Sequence, residues 1–144
     1  MPITITTLPY GSADYQTAVT LRRAVLRTPL GLDFSADDLA REIGDTHFGA
    51  WLDGGLVGAV VMTPYAQGQV KLRQMAVSPD HQGRNIGGQL LAAFEAHASD
   101  HAIDEIILDA RVTAQGFYAR HGYQADGDVF SEVTIPHIRM WKAL

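Results

Sequence analysis

Backbone amides gathered at a turn are the feature of this chain best suited to chemistry. Ser78-Pro79-Asp80-His81-Gln82-Gly83-Arg84-Asn85-Ile86 follows a strand-like segment, Val70 to Val77. It then runs through Gly87-Gly88-Gln89-Leu90-Leu91 into an amphipathic helix. Strand, turn and glycine-started helix leave unpaired N–H groups pointing outward at the positive end of the helix dipole, an arrangement that holds a phosphate. Each glycine costs a helix about 1 kcal/mol relative to alanine. Gly87 and Gly88 in one turn therefore imply that something approaches the backbone closely. The residues expected to hold that group are Gln82, Gly83, Arg84, Asn85, Ile86, Gly87 and Gly88. Arg84 can reach a phosphate oxygen or stand as a solvated surface residue.

Other chemistries are excluded by what the chain lacks. There is no cysteine, which removes disulfides, thiolate catalysis and most structural zinc sites. His97 and His101 stand at i, i+4 spacing without the glutamate of a His-Glu-x-x-His helix, so no metal is expected. No Gly-x-x-x-x-Gly-Lys-Ser/Thr loop is present. A net charge of −5 argues against nucleic acid, which asks for a basic face, and suits a cationic amine. His47 reads as a satisfied core histidine. Arg22 and Arg23 read as a solvated helix face, with contact to an anionic acceptor as the alternative.

The turn resembles the cofactor loop of the GNAT superfamily, the acyl-CoA-dependent N-acyltransferases. Their signature is Gln/Arg-x-x-Gly-x-Gly/Ala, and it is matched by Gln82-Gly83-Arg84-Asn85-Ile86-Gly87 except that Asn85 replaces the middle glycine. Asparagine tolerates a positive φ, so the turn can form. It is also a strong N-cap, and its side chain would compete for amides that a phosphate needs. The resemblance implies that these amides hold the coenzyme A pyrophosphate. It also implies that the strand before the loop splays from its neighbour, with Met75, Ala76 and Val77 along the pantetheine arm. The backbone contacts would fall at Met75 and Val77.

A second landmark lies in Ala114-Gln115-Gly116-Phe117-Tyr118-Ala119-Arg120-His121-Gly122-Tyr123, which resembles Ala-x-x-Phe-Tyr-x-x-x-Gly-Phe/Tyr. The resemblance places Tyr118 at the coenzyme A sulfur; the alternative is a core aromatic beside Phe117. A thiol of pKa about 8.5 does not readily deprotonate a phenol of about 10, a gap of roughly 2 kcal/mol. Tyr118 thus acts best by hydrogen-bonding a developing thiolate. The acceptor has its own cost: freeing the lone pair of an amine of pKa about 10.4 at neutral pH takes about 4.6 kcal/mol. A carboxylate or imidazole can assist, and Phe130-Ser131-Glu132-Val133-Thr134-Ile135-Pro136-His137 offers both. This segment resembles a Phe-x-Glu-x-x-Ile-Pro-His stretch in a small bacterial branch of the superfamily. Glu132 and His137 are the base and substrate-binding candidates, each weighed against a solvated edge-strand position.

These residues need a scaffold to position them. Ile3 to Thr6 alternates as a strand, and Ser12 to Arg27 carries helical spacing through Ala18, Leu21 and Val25. Ser35 caps a short helix running through Ile43. His47–Leu52 and Leu56–Thr63 pair across Asp53-Gly54-Gly55, a hairpin signal. The second of these is apolar on both faces and so expected inside the sheet. Val70 to Val77 alternates as far as Arg73 and then turns apolar without a break, predicting a bulge near Gln74. A helix begins at Ile86, and Ile106-Ile107-Leu108 is a buried strand. Ala114 to Arg120 forms a short helix ended by Gly122. Tyr123 onward and Val133 to Trp141 supply the last strands, with Pro136 implying an edge or irregular position.

At 144 residues, 47% hydrophobic and 19% charged, the chain reads as a single globular domain over residues 1–144. The expected fold is α/β: a mixed, mostly antiparallel GNAT-like sheet, helices on both faces and splayed central strands. The expected function is transfer of acetyl from acetyl-CoA, as co-substrate, directly to a primary amine of a small molecule or peptide. No activated nucleophile is visible, so no acyl-enzyme is expected. A non-catalytic acyl-CoA-binding domain is the alternative. No basic region followed by an apolar core opens the sequence, and no apolar run reaches the roughly 18 residues of a membrane span. A cytoplasmic location is therefore expected, without membrane or nucleic-acid partners, and the reading allows a homodimer.

Overall fold

Ser12 starts the first helix by accepting the Tyr15 N–H on its hydroxyl, and the chain stays helical from Ala13 to Leu26 (α1). Before it lies β1 (Thr4–Leu8). Ser35 and Asp38 form a reciprocal capping box at the start of α2 (Ala36–Ala40), which tightens into a 3₁₀ turn at Arg41–Gly44. Then come β2 (Thr46–Leu52), β3 (Gly55–Pro64), β4 (Gln69–Val77), α3 (Ile86–Asp100), β5 (Glu105–Arg111), α4 (Gln115–Arg120), β6 (Gln124–Glu132) and β7 (Ile135–Ala143). This computed structural model describes residues 2–144.

The strands form one seven-stranded sheet ordered β1-β2-β3-β4-β5-β7-β6. Every neighbouring pair is antiparallel except β4 with β5. The helices lie on both faces, as a sheet with two apolar sides requires. Ala59 of β3 packs with Leu8 and Ala18 beneath α1. Its neighbour Val60 points the other way, into a core with Leu90, Leu91 and Phe94 of α3 and Tyr118 of α4. The apolar run of β3 is explained by its place between β2 and β4.

The β4–β5 ladder decides where a ligand can enter. It pairs Gln69 to Leu72 with Glu105 to Leu108 and stops. Beyond it β5 still pairs with β7 as far as Arg111 opposite His137, while β4 continues to Val77 against β3. The two strands therefore diverge. The bulge expected near Gln74 is present: the β3–β4 register shifts between Ala59 and Val61, and Gln74 takes φ 58°. A left-handed conformation outside glycine costs roughly 1–2 kcal/mol.

Three sequence expectations need correction. Val133 and Thr134 are not strand residues. At φ 45° and 68° they form the two-residue turn between β6 and β7, the doubly left-handed hairpin geometry that usually takes Asn-Gly. β7 is also not an edge strand, since it lies between β5 and β6. Pro136 is tolerated because it faces Ser131 on β6 before β5 pairing begins at His137. Arg22, expected on a solvated face, is 1% exposed and pairs with buried Glu42. Glu42 also accepts the Tyr15 hydroxyl at 2.8 Å, and its carbonyl accepts His47 Nε2 at 3.0 Å. Burial pushes the Glu42 carboxyl up, but the hydrogen bond and charge of Arg22 outweigh it and leave it below its ordinary value. Arg23 does remain partly exposed, paired with Asp33.

Candidate active site

Where β4 and β5 part, a cleft of about 380 Å³ opens. Gln74 and Met75 line one wall, and Tyr118, Glu132 and His137 line the other side. Sheet register brings the latter group together. His137 stands opposite Arg111 on β5 and Phe130 on β6, and cross-strand partners share a face. Glu132, two residues beyond Phe130, shares that face as well.

His137 is 4% exposed, and its Nδ1 lies 2.9 Å from the Ile135 carbonyl. A carbonyl only accepts, so Nδ1 carries a hydrogen, and in the corresponding neutral tautomer the lone pair is on Nε2. Nε2 stands 3.6 Å from Oε2 of Glu132, whose side chain is half exposed. Two acceptors face each other across a gap that a shared proton or an N–H donor would satisfy. Such a pair can receive a proton from an amine.

Tyr118 is 6% exposed at the inner end of the cleft. Burial pushes its phenol well above the ordinary value. The group therefore stays protonated at neutral pH and has an O–H to donate. Asp109 lines the cleft too, but it is committed to Lys71 at 2.9 Å and to Arg139. Burial pushes its carboxyl up, yet the hydrogen bonds from Arg139 and Lys71 and their charges hold it below the ordinary value.

Along β4 the backbone alternates. The Ser78 N–H donates to the Val57 carbonyl at 2.8 Å, and in that register Ala76 also turns its amide and carbonyl toward β3. Val77 then presents its own N–H and C=O to the open edge, and Met75 shares its parity. Ala76 is buried at 2% exposure with its backbone engaged, so it offers a ligand no main-chain group.

At the start of α3 the first bond accepted by the cap is Gln89 N–H to Asn85 C=O. The amides of Ile86, Gly87 and Gly88 are thereby left without intrahelical acceptors. Asn85 adopts φ 57°, ψ 30°, as expected of a left-handed asparagine, but its side chain makes no capping hydrogen bond. The expected competition for these amides is absent. Two glycine explanations also change. A Cβ on Gly88 would sit 2.2 Å from Asn85 Oδ1, and one on Gly87 would sit 3.3 Å from the Phe117 ring. The close neighbours are the chain's own side chains. The Phe117 contact seats the turn against α4, one residue from Tyr118. Gln82, Gly83 and Arg84 are exposed, with Gly83 at φ 83° and open space around it.

Sequence reasoning missed three residues of the cleft as site residues. Gln74 was legible only as a bulge, yet its buried side-chain oxygen has no hydrogen-bond partner. Arg27 and Arg111 also line the cleft. Arg111 is found only through its register opposite His137, which no local pattern reveals. Among the described residues, no group of three or more His, Cys, Asp or Glu is placed to hold a metal, and no helix is long and apolar enough to cross a membrane.

A seven-stranded sheet splayed at its one parallel pair, with a glycine-started helix at the splayed end, defines a GNAT-type fold. The family described as acetyltransferase (GNAT) domain matches residues 21–144. The chain belongs to that family. It is 34% identical over 76 residues to the uncharacterized N-acetyltransferase YjcF of Bacillus subtilis (strain 168), covering 52% of this chain. The chain spans about half the length of that relative, 54%. An acyl-CoA N-acyltransferase from Pseudomonas aeruginosa superposes with a TM-score of 0.83 at 26% identity, over 99% of this chain and 100% of that one. The PaiA N-acetyltransferase of Thermoplasma acidophilum, solved in complex with coenzyme A, shares the fold at a TM-score of 0.78 and 19% identity over 100% of both chains.

Proposed function

We propose that this protein is a cytoplasmic N-acetyltransferase that moves acetyl from acetyl-CoA directly to a primary amine within a ternary complex. The observation that carries this reading is the cleft itself. A buried phenol with an O–H to donate and an imidazole–carboxylate pair able to accept a proton line the same opening, beside a strand edge with unpaired backbone groups. The coenzyme A complex of the structural relative from Thermoplasma acidophilum supports the choice of cofactor.

When bound, acetyl-CoA supplies an activated thioester: the amine nitrogen attacks its carbonyl carbon, the C–N bond forms, the C–S bond breaks and coenzyme A leaves as thiolate. The chain's residues divide the remaining work. The free amides of Ile86, Gly87 and Gly88, at the positive end of α3, hold the pyrophosphate with Gln82, Gly83, Arg84 and Asn85 around it. Met75 and Val77 hold the pantetheine arm along the open edge of β4. Glu132 and His137 take the proton that the amine must lose, directly or through water. Tyr118 donates a hydrogen bond to the departing sulfur, and its raised pKa makes that role more apt than full proton transfer.

Two measurements test the reading. Acetyl-CoA should raise the melting temperature, and at 100 times its dissociation constant it should contribute about 2.7 kcal/mol. Thiol release should then appear with members of a primary-amine library. No thermal shift at millimolar acetyl-CoA would sink the cofactor assignment. A shift without turnover of any amine would point to a non-catalytic acyl-CoA-binding domain.

A further inference from the structure

Two guanidinium groups meet at one carbonyl in the cleft. Arg27 Nη1 and Arg111 Nη2 both donate to the Leu26 carbonyl oxygen, at 3.2 and 3.0 Å. Each guanidinium has five donors, so most of their hydrogen-bonding capacity is unused by that carbonyl. Arg27 is further held over the Phe34 ring, 4.8 Å from its centroid. Among the described residues neither arginine forms an ion pair with a carboxylate. Of the cleft's acids, Asp109 is engaged by Lys71 and Arg139, while Glu132 faces His137 Nε2 across 3.6 Å and is in ion-pair contact with neither arginine. Burial, then the charges of Arg111 and Arg22, pull Arg27 below the ordinary arginine value. The charges of Asp38 and Glu132 offset this only in part, so like charges are held together, half-buried, with no carboxylate in direct ion-pair contact.

We propose that Arg27 and Arg111 form a carboxylate clamp, so that the acceptor is a small primary amine bearing a carboxylate, of amino-acid type. This rests on the acyl-transfer reading above and names its substrate class. Three placements support it. Arg111 is the cross-strand partner of His137, so a molecule whose carboxylate is held by Arg111 has its amine near the Glu132–His137 pair. Gln74 offers its unpartnered side-chain oxygen to an N–H donor in the same cleft. A volume of about 380 Å³ suits a small molecule. A guanidinium pair favours a carboxylate over a neutral amide because charge-assisted, bidentate hydrogen bonds are the stronger ones.

The test uses matched acceptors, amino acids against their carboxamides, with thiol release as the readout. The carboxylate members should show kcat/KM about tenfold or more above the amides, the scale of one charge-assisted hydrogen bond. Arg111→Gln and Arg27→Gln should collapse that ratio through the acceptor KM, leaving the KM for acetyl-CoA unmoved. Amides used as well as acids, or a ratio that survives both substitutions, would overturn the clamp. So would a variant whose loss falls on the acetyl-CoA KM, because the arginines would then serve the cofactor phosphates. If no acceptor turns over although acetyl-CoA stabilises the protein, it is the acyl-transfer reading that fails. The clamp is then judged by binding. Amino acids added to the coenzyme A-loaded protein should raise its melting temperature in the wild type and not in Arg111→Gln, and no shift in the wild type overturns it.

Discussion

Gly88 admits two explanations, and a double-mutant cycle with Asn85 separates them. If Gly88 is glycine because a ligand needs the backbone, alanine there should damage acetyl-CoA binding whatever occupies position 85. If it is glycine because the Asn85 side chain lies across it, the cost of alanine should depend on that side chain alone. The structure favours the second: Asn85 Oδ1 would stand 2.2 Å from a Cβ on residue 88 and Cγ 3.0 Å from it. Alanine in a helix is worth about 1 kcal/mol over glycine. In the wild-type background this gain is offset by driving the Asn85 side chain aside, so Gly88→Ala should be neutral or destabilising. In an Asn85→Gly background the full gain should emerge, raising the melting temperature by about 4 °C for a domain of this size. Urea and thermal denaturation of the four proteins should give a coupling energy of about 1 kcal/mol. Coupling below about 0.3 kcal/mol, within the additivity of independent sites, would refute the assignment to Asn85. The double variant should also keep its stabilisation by acetyl-CoA. A stable double variant that no longer responds to acetyl-CoA would restore the ligand explanation for Gly88.

Three further outcomes follow from the same geometry. Tyr118→Phe keeps the buried ring and removes the donor, so kcat should fall by about 10² while acetyl-CoA binding, read by thermal shift, barely changes; normal turnover would remove Tyr118 from the chemistry. Glu132→Gln should lower activity most at neutral pH and recover as pH rises toward the acceptor's own pKa, whereas a loss equal at every pH would assign Glu132 to positioning and leave His137 as the base. Glu42→Gln strands the buried Arg22 without its counter-charge and should cost about 3–5 kcal/mol in urea denaturation at neutral pH. Because Glu42 is held below its ordinary value, its stabilisation is present above the unfolded pKa of about 4.3 and is lost as pH falls through the folded value. The gap between wild type and variant should therefore narrow in acid, and a gap constant down to acid pH would contradict the assignment.

Local signals carried much of the fold because they report local geometry. The β2–β3 hairpin is legible since Asp53-Gly54 is suited to the left-handed pair it adopts, at φ 52° and 80°. The bulge at Gln74 showed as a break in alternation. Long-range facts left no such mark. Nothing near Val133 and Thr134 announces a doubly left-handed turn, because β-branched residues normally avoid it. That β7 inserts between β5 and β6, and that Arg22 reaches a buried carboxylate twenty residues away at Glu42, are consequences of chain packing. The candidate site splits the same way. Tyr118, Glu132 and His137 were readable from the segments that carry them, while Arg27 and Arg111 emerge only when the end of β5 reaches the C-terminal end of α1.

Backbone strain also points to this end of the sheet. Among the described residues, the left-handed ones other than glycine are Asp53, Gln74, Asn85, Ala102, Val133 and Thr134. Asp53 sits in a hairpin turn and Ala102 follows the end of α3, both ordinary places for this conformation. Gln74 lines the cleft from β4 and Val133 from the β6–β7 turn, Thr134 completes that turn, and Asn85 is the cap of α3 at the proposed phosphate turn. Asparagine tolerates this conformation, but at roughly 1–2 kcal/mol each Gln74, Val133 and Thr134 together take up an appreciable part of the net stability of an ordinary domain, about 5–15 kcal/mol. The core around Leu90, Phe94 and Leu108, each at most 1% exposed, must offset that cost. Gln74 sits just beyond the last β4–β5 pair, Leu72 with Leu108, where the opening begins. Relaxing the Val133–Thr134 turn would change the register that sets Glu132 beside His137. Gln74 and Val133, both strained, thus line the cleft itself, and backbone strain of this kind clusters at functional sites.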